Sequence, residues 1–112
     1  MSIGAEGCAT LSQVLKRNGC SITLLNLGWN AIDDEGCVAL SQVLKRNGCC
    51  ITLLDLSNNK IGDEGCTSLA QGLAENTSVT ELDLRYNSNI GAEGREKLSQ
   101  IEKLNPNLKI TC

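Results

Sequence analysis

Cysteines and clustered carboxylates are the residues of this 112-residue chain that could do chemistry. Seven cysteines could hold a metal, form disulfides or act as nucleophiles, and the carboxylates at 33–35 and 63–64 could act as general acids or bases. The chain has no His to complete a zinc site or to activate a thiol, and no two cysteines have the CxxC spacing. Neither set forms a catalytic or metal-binding motif.

The cysteines follow a period of the sequence. Cys8, Cys37 and Cys66 lie 29 residues apart, and so do Cys20 and Cys49. A residue that recurs at the period of a repeat serves the repeat, and Cys packs readily as a small apolar side chain. We therefore expect buried, reduced thiols, no metal and no cofactor. Free thiols are typical of a reducing compartment, so we expect a cytoplasmic location.

The same period runs through the whole chain. The word LSQVLKRNGC occupies residues 11–20 and returns unchanged at 40–49, and residues 3–31 match residues 32–60 at 20 of 29 positions. Isoleucines followed by Glu-Gly carry the period to the C-terminal part: Ile3, Ile32, Ile61 and Ile90. Such a period is typical of stacked repeats. We therefore predict a single repeat domain over residues 1–112, with about four units of 28–29 residues.

Each unit has the pattern of a helix followed by a short strand. Carboxylates at 33–35 favour a helix start, and the Asn-Gly pair at 47–48 favours its end, because both residues tolerate a left-handed C-cap. Leu54 and Leu56 then alternate with a polar residue, as in a strand that is buried on one face. Alternating helices and strands predict an α/β fold with a parallel sheet and a helical layer.

An asparagine ends each of three predicted strands. Its side chain both donates and accepts hydrogen bonds, so stacked asparagines could bond the turn backbones that no sheet ladder satisfies. We predict a structural stack of Asn30, Asn59 and Asn87.

The strand segments also carry the LxxLxLxxNxI pattern of leucine-rich repeats. Residues 22–32 and 51–61 fit it, and residues 79–87 fit with one extra residue before Ile90. With its period, the chain resembles the ribonuclease-inhibitor-like subclass, which includes the repeat domains of NOD-like receptors and Ran GTPase-activating proteins. The resemblance implies a horseshoe segment of a leucine-rich repeat solenoid, with parallel strands on the concave face and helices on the convex face.

The two ends of the array differ in polarity. Arg95 and Glu102 replace apolar stripe residues in the final unit, and Pro106 follows its helix. Polar substitution in an end repeat is typical of a capping unit. The chain begins within a unit, at Ile3, and its first helix keeps an apolar stripe. We expect either the C-terminal piece of a longer receptor, scaffold or inhibitor, or a short form that self-associates through its uncapped N-terminal end.

Binding is the function that such repeats favour, because the outward strand positions vary while the others are conserved between units. The only Trp and the only Tyr occupy the same outward repeat position, and both residue types are enriched at interface hot spots. The alternative is that each ring packs over its own loop. We predict a binding site on the concave face formed by Leu24, Asn26, Trp29, Leu53, Asp55, Asn58, Glu81, Asp83, Arg85 and Tyr86.

The expected partner is a protein with a basic, partly apolar surface. Carboxylates at 55, 81 and 83 outnumber Arg85 on the predicted face, which suggests that its acidity increases toward the C-terminal end. A net charge of −3 and few aromatic residues argue against nucleic acid, and no segment is long and apolar enough to predict a membrane span. We therefore expect a non-enzymatic protein-interaction module. The alternatives are a GTPase-regulating module like the Ran activators, and a duplicated or designed scaffold with no dedicated partner.

Overall fold

The computed structural model describes residues 4–18, 23–46 and 49–112, and helices alternate with strands through them. The elements are α1 (Gly4–Asn18), β1 (Leu24–Asn26), α2 (Asp34–Leu44), β2 (Leu53–Asp55), α3 (Asp63–Ala74), β3 (Glu81–Asp83), α4 (Ala92–Leu104) and β4 (Lys109–Thr111). The strands form one parallel sheet in the order β1-β2-β3-β4, and each helix packs against the next. The predicted parallel sheet with a helical layer is therefore confirmed.

The apolar stripes of helices and strands pack against one another between the two layers. Cys37, Leu40 and Leu44 of α2 are buried against the leucines of the strand region, where Leu54 and Leu56 are also buried. Burying a leucine contributes about 2 kcal/mol relative to leaving it exposed. Strands of three residues have little stability of their own, so contacts between units stabilise the array.

Carboxylates at the helix starts bond backbone N–H groups, and several of these bonds reach the next unit. Asp33 is the N-cap of α2, and its side chain accepts a hydrogen bond from the Gly36 N–H at 3.1 Å. Asp34 instead accepts from the N–H of Gly62, the N-cap residue of α3, at 2.6 Å. The α3 helix is therefore capped by a side chain of the preceding unit.

Asp63 caps α4 in the same way. Its Oδ1 accepts from the N–H groups of Gly91 and Gly94 at 2.6 and 3.1 Å. A Cβ atom on Gly94 would lie 2.6 Å from this oxygen, so only glycine leaves room for the incoming carboxylate. The carboxylates of Asp34 and Asp63 thus join adjacent units.

Three of the periodic cysteines lie in the core. Cys8, Cys37 and Cys66 are 0% exposed and free. Burial, with a smaller contribution from nearby carboxylates, raises the pKa of the Cys8 thiol to about 11 and that of Cys66 to about 12. It also raises the pKa of Cys37. Within the described residues, no group of three or more His, Cys, Asp or Glu could hold a metal ion.

Cys50 departs from the expected pattern. It is disulfide-bonded, whereas Cys49 and Cys112 are free, so the prediction that all the thiols are reduced is wrong. The period argument did not apply to Cys50, because Ser21 stands at its position in the first unit. Cys20 lies outside the described residues.

The buried thiols should make the protein lose stability at alkaline pH. An unfolded thiol ionises near pH 9, whereas folded Cys8 and Cys66 keep their protons to about pH 11 and 12. The folded state therefore binds more protons than the unfolded state above pH 9, and the free energy of unfolding should fall between pH 9 and 12. Urea unfolding at a series of pH values measures this fall.

Two variants test whether the buried thiols cause the loss of stability at alkaline pH. Replacing Cys8, Cys37 and Cys66 with Ala should flatten the pH dependence. Cys112→Ala, at an exposed position that contributes only a minor part of the raised pKa of Cys66, should change it little. An equally steep fall in the triple variant would contradict the assignment.

The fourth unit is polar on its outer side. Its helix buries Leu98 and Ile101, while Arg95 is exposed. Glu102 stands where earlier units have a core leucine, and its carboxylate accepts from the backbone N–H of Ile110 at 2.8 Å. β4 is last in the strand order, and an uncovered edge N–H favours pairing with another chain. Glu102 therefore satisfies one backbone group at this edge.

Candidate functional site: the sheet face and its turns

Strand pairing arranges the outward side chains in rows across the sheet. Leu24, Leu53, Glu81 and Lys109 are register partners and form the first row. Asn26, Asp55, Asp83 and Thr111 form the second row. The intervening leucines of β1, β2 and β3 are buried, whereas Leu24 is 60% exposed. The structure thus brings the predicted strand residues onto one surface and adds Lys109 and Thr111, which sequence reasoning did not place.

The turns after the strands continue the same register. The Trp29 N–H donates to the Ser57 carbonyl at 3.1 Å, and the Asn58 N–H donates to the Arg85 carbonyl at 2.9 Å. Neighbouring strands are about 4.8 Å apart, so the backbones of Trp29 and Tyr86, two units apart, are separated by about 10 Å. The two aromatic residues therefore lie on one line, with Asn58 between them.

These three turn residues share a left-handed backbone conformation. The φ angles are 61° at Trp29, 57° at Asn58 and 64° at Tyr86. Asn tolerates this region, whereas for most L-residues it costs roughly 1–2 kcal/mol. Both rings are 74% exposed, so packing recovers little of that cost. This exposure weakens the alternative that each ring packs over its own loop.

Trp29 and Tyr86 border one shallow groove that is widely open to solvent. It has a volume of about 300 Å³ and is lined by Trp29, Ala31, Asn58, Asn59, Lys60 and Tyr86. A second depression, of about 450 Å³, lies over the sheet and includes Asp55, Glu81 and Lys109. A larger cavity of about 570 Å³ lies between the ends of α3 and α4, where none of the predicted binding residues lies.

Charge on the sheet face is more balanced than predicted. Arg85 forms an ion pair with Asp83 at 2.9 Å, and its hydrogen bond holds the pKa of Asp83 below the ordinary value. Lys109 lies beside Glu81 in the strand register. The prediction that acidity increases toward the C-terminal end is therefore wrong, because β4 contributes a cation. Asp55 and Glu81 are the remaining acidic groups of the predicted site.

The second row also has a structural role that sequence reasoning missed. Oδ1 of Asn26, Asp55 and Asp83 each accepts the backbone N–H two residues on, at 3.0, 2.9 and 3.0 Å. This side-chain bond begins each turn, and Asn and Asp are the residues that form it best. The restriction of this repeat position to Asn and Asp was the signal in the sequence.

Asn59 bonds the turns of two consecutive units and is only 8% exposed. Its amide nitrogen donates to the carbonyls of Leu27 and Leu56, both at 3.0 Å. Its oxygen accepts from the N–H groups of Asn30 and Ile32, both at 2.9 Å. One side chain therefore bonds these four backbone groups, and its amide nitrogen also donates to the Ser57 carbonyl at 3.1 Å.

Asn87 repeats this arrangement one unit further on. It donates to Leu56 at 3.0 Å and to Leu84 at 2.9 Å, and accepts from Ile61 at 3.0 Å. Asn30 is half-buried and donates to the Gly28 carbonyl at 3.1 Å. The three asparagines lie in equivalent places, and the contacts of Asn59 and Asn87 link adjacent units.

A second asparagine position, at the helix ends, was interpreted only as a helix stop. Asn76 is 7% exposed, donates to the Leu44 carbonyl at 3.1 Å and accepts from the N–H groups of Ser78 and Val79. It thus joins its own loop to the helix of the preceding unit. Asn47, at the predicted stop, lies outside the described residues.

Stacked helix–strand units joined by side-chain bonds to turn backbones define a repeat solenoid. The Leucine Rich repeat family matches residues 20–41, 49–70 and 75–99, and the chain belongs to this family. A solved structure titled Leiomodin-1 Actin-Binding Site 2 (ABS2) has a similar fold, with a TM-score of 0.84 and 24% sequence identity over 99% of this chain and 67% of that chain. No protein of curated function matches the sequence. At this identity the likeness shows the fold alone.

Proposed function

We propose that this chain is a non-enzymatic protein-interaction module that binds a protein partner through its concave sheet face and the adjoining turns. The observation that carries the proposal is the pair Trp29 and Tyr86. Both rings are 74% exposed, both stand at left-handed backbone positions, and both border one groove. Backbone strain at exposed aromatic residues is typical of functional sites, and Trp and Tyr are enriched at interface hot spots.

The surrounding residues define the chemistry of the partner. Leu24 extends the apolar surface, while Asp55 and Glu81 favour basic groups. Asp83 contributes less attraction, because Arg85 is already paired with it. We propose a partly apolar partner with a few basic side chains, whose association is sensitive to salt.

Catalysis is not supported by the arrangement of the candidate groups. The periodic thiols are buried with raised pKa values, so they are poor nucleophiles. Asp34 and Asp63 bond helix N-termini of the following units. No contact among the described residues favours GTPase regulation or a scaffold without a partner over binding.

Replacing Trp29 and Tyr86 with Gly should abolish partner binding without unfolding the protein. Relief of left-handed strain, roughly 1–2 kcal/mol per site, offsets about 0.5–1 kcal/mol of added chain entropy. The melting temperature should therefore stay the same or rise. Affinity capture from a cell extract, followed by mass spectrometry and measurement with the purified partner, compares the variant with the original chain.

Leu104→Ala is the matched control, because it removes a 79% exposed apolar side chain from α4. The Leu104→Ala variant should bind the partner as strongly as the original chain does. Loss of binding in Leu104→Ala, together with unchanged binding in the double Gly variant, would place the interface on the helical side. A lower melting temperature of the double Gly variant would show that the rings pack locally. Purified actin should also be tested in the binding measurement, since the leiomodin-1 structure is titled an actin-binding site.

The finer predictions from the sequence are part of the same proposal. The 29-residue period supports the ribonuclease-inhibitor-like subclass, and the bond from Glu102 to Ile110 supports a capping role for the fourth unit. Five free cysteines among the described residues support a cytoplasmic location, whereas the disulfide at Cys50 is evidence against it. Self-association through β1, which is first in the strand order, would appear as a concentration-dependent mass in light scattering. No helix in the described ranges has the length and apolar character needed to cross a membrane.

A further inference from the structure

We infer that the groove between Trp29 and Tyr86 binds a proline-rich segment in the polyproline II conformation, with prolines three residues apart and one basic and one acidic residue between them. This inference rests on the proposed function and names the chemistry of the partner at the same site.

The backbone spacing of the two aromatic residues matches this conformation. Polyproline II has three residues per turn and rises 3.1 Å per residue, so equivalent side chains recur about every 9 Å. The turn backbones stack in register through the Trp29–Ser57 and Asn58–Arg85 hydrogen bonds, which places Trp29 and Tyr86 about 10 Å apart. Prolines at positions i and i+3 can therefore each pack on one ring, as in other aromatic-lined grooves for such segments.

The groove also offers the hydrogen bonds that this conformation needs. A polyproline II segment has no internal hydrogen bonds, so its carbonyls must find donors outside. The Trp29 indole N–H, the Tyr86 hydroxyl and the Asn58 side-chain amide all belong to residues that line the groove. An α-helix satisfies its own backbone hydrogen bonds, so it would leave these donors without backbone acceptors.

Two charged residues of the second unit, Asp55 and Lys60, define which side chains the bound segment should carry between its two prolines. Asp55 lies on the sheet side of Asn58, in the neighbouring depression, and Lys60 lies on the other side and lines the groove. With three residues per turn, prolines that face the rings direct the intervening side chains to opposite sides. One of these should therefore be basic, beside Asp55, and the other acidic, beside Lys60. Their order depends on the direction in which the segment runs.

Trp29 provides the probe, because it is the only Trp of the chain. Two synthetic peptides without Trp or Tyr would be titrated, one with the core Pro-Lys-Glu-Pro and one with Pro-Glu-Lys-Pro, each in Ala-Gly flanks. One of them should change the Trp29 emission saturably. Replacing either proline of that peptide with Ala should weaken its affinity by about tenfold. A helical, Ala-rich peptide without proline that carries the same Lys and Glu should bind at least about tenfold more weakly.

Removal of the two charges tests the orientation. Asp55→Asn, which keeps the side-chain bond to the Ser57 N–H, combined with Lys60→Gln should abolish the preference between the two peptides. Glu93→Lys, an exposed change at the start of α4, should leave the preference unchanged. Binding of neither peptide below about 1 mM, or equal binding of the helical peptide, would overturn the inference. If partner capture still depends on Trp29 and Tyr86 in that case, the proposed function stands and only this partner chemistry fails.

Discussion

Asn59→Ala should lower the free energy of unfolding by about 3 kcal/mol or more, a large fraction of the stability of a small domain. Asn59 is 8% exposed and bonds four backbone groups of two units. Alanine would leave three of those groups without partners, while the Leu56 carbonyl keeps its bond from Asn87. Each unsatisfied buried group costs roughly 1–3 kcal/mol before relaxation. Urea unfolding followed by circular dichroism measures the difference.

Asn58→Gly is the matched control for this prediction. Asn58 precedes Asn59 but has a φ angle of 57°, so Asn58→Ala would add left-handed strain and is a poor control. Glycine tolerates that conformation and should change the free energy of unfolding by less than about 1 kcal/mol. Similar losses in Asn59→Ala and Asn58→Gly would disprove the role of Asn59 in joining the turns.

Asp63→Ala should lower the free energy of unfolding by about 2 kcal/mol. Its carboxylate accepts two N–H groups at the start of α4, from Gly91 and Gly94. Loss of a helix cap costs about 0.5–2 kcal/mol, and hydrogen bonds to a charged group lie toward the upper end of the usual range. Thermal and urea unfolding of the variant measure the loss, and Glu64→Ala, at an exposed neighbouring position, should change little.

A second substitution should restore much of that loss. Gly91 has φ −107° and ψ −163°, close to the −112° and −169° of Asp33, which caps its own helix. The three atoms nearest to a Cβ on Gly91 all belong to the Asp63 carboxylate, which is absent from the variant. Asp63→Ala combined with Gly91→Asp therefore reproduces the self-capped arrangement of α2 and should recover about 1 kcal/mol. No recovery would mean that Asp63 stabilises α4 by something other than capping.

The helix–strand alternation and most core positions could be predicted from the sequence, because they depend on spacing within one unit. Leu40 and Leu44 recur at helical spacing, and Leu54 and Leu56 alternate along a strand, so burial follows from the local pattern. The family pattern likewise placed the outward rows, since alternate residues of a strand face opposite sides of the sheet.

The candidate site was predicted only in part. Local alternation identified Trp29 and Tyr86 as outward residues, but it does not specify turn dihedrals, so the left-handed φ angles that they share with Asn58 could not be predicted. The position of Lys109 beside Glu81 could not be predicted, because the last strand has no leucine pattern to set its register. The position of Lys109 beside Glu81 makes the site less acidic than the sequence predicted.

The sequence by itself determined the repeat, its elements and its apolar faces, whereas the tertiary structure decided how one unit completes the next. Asp34 and Asp63 were correctly placed at helix starts, but their partners Gly62 and Gly91 lie 28 residues away in the chain. The disulfide state of Cys50 was equally outside the local pattern. Propensity and period describe neighbours along the chain, and these bonds form only where stacking brings two units together.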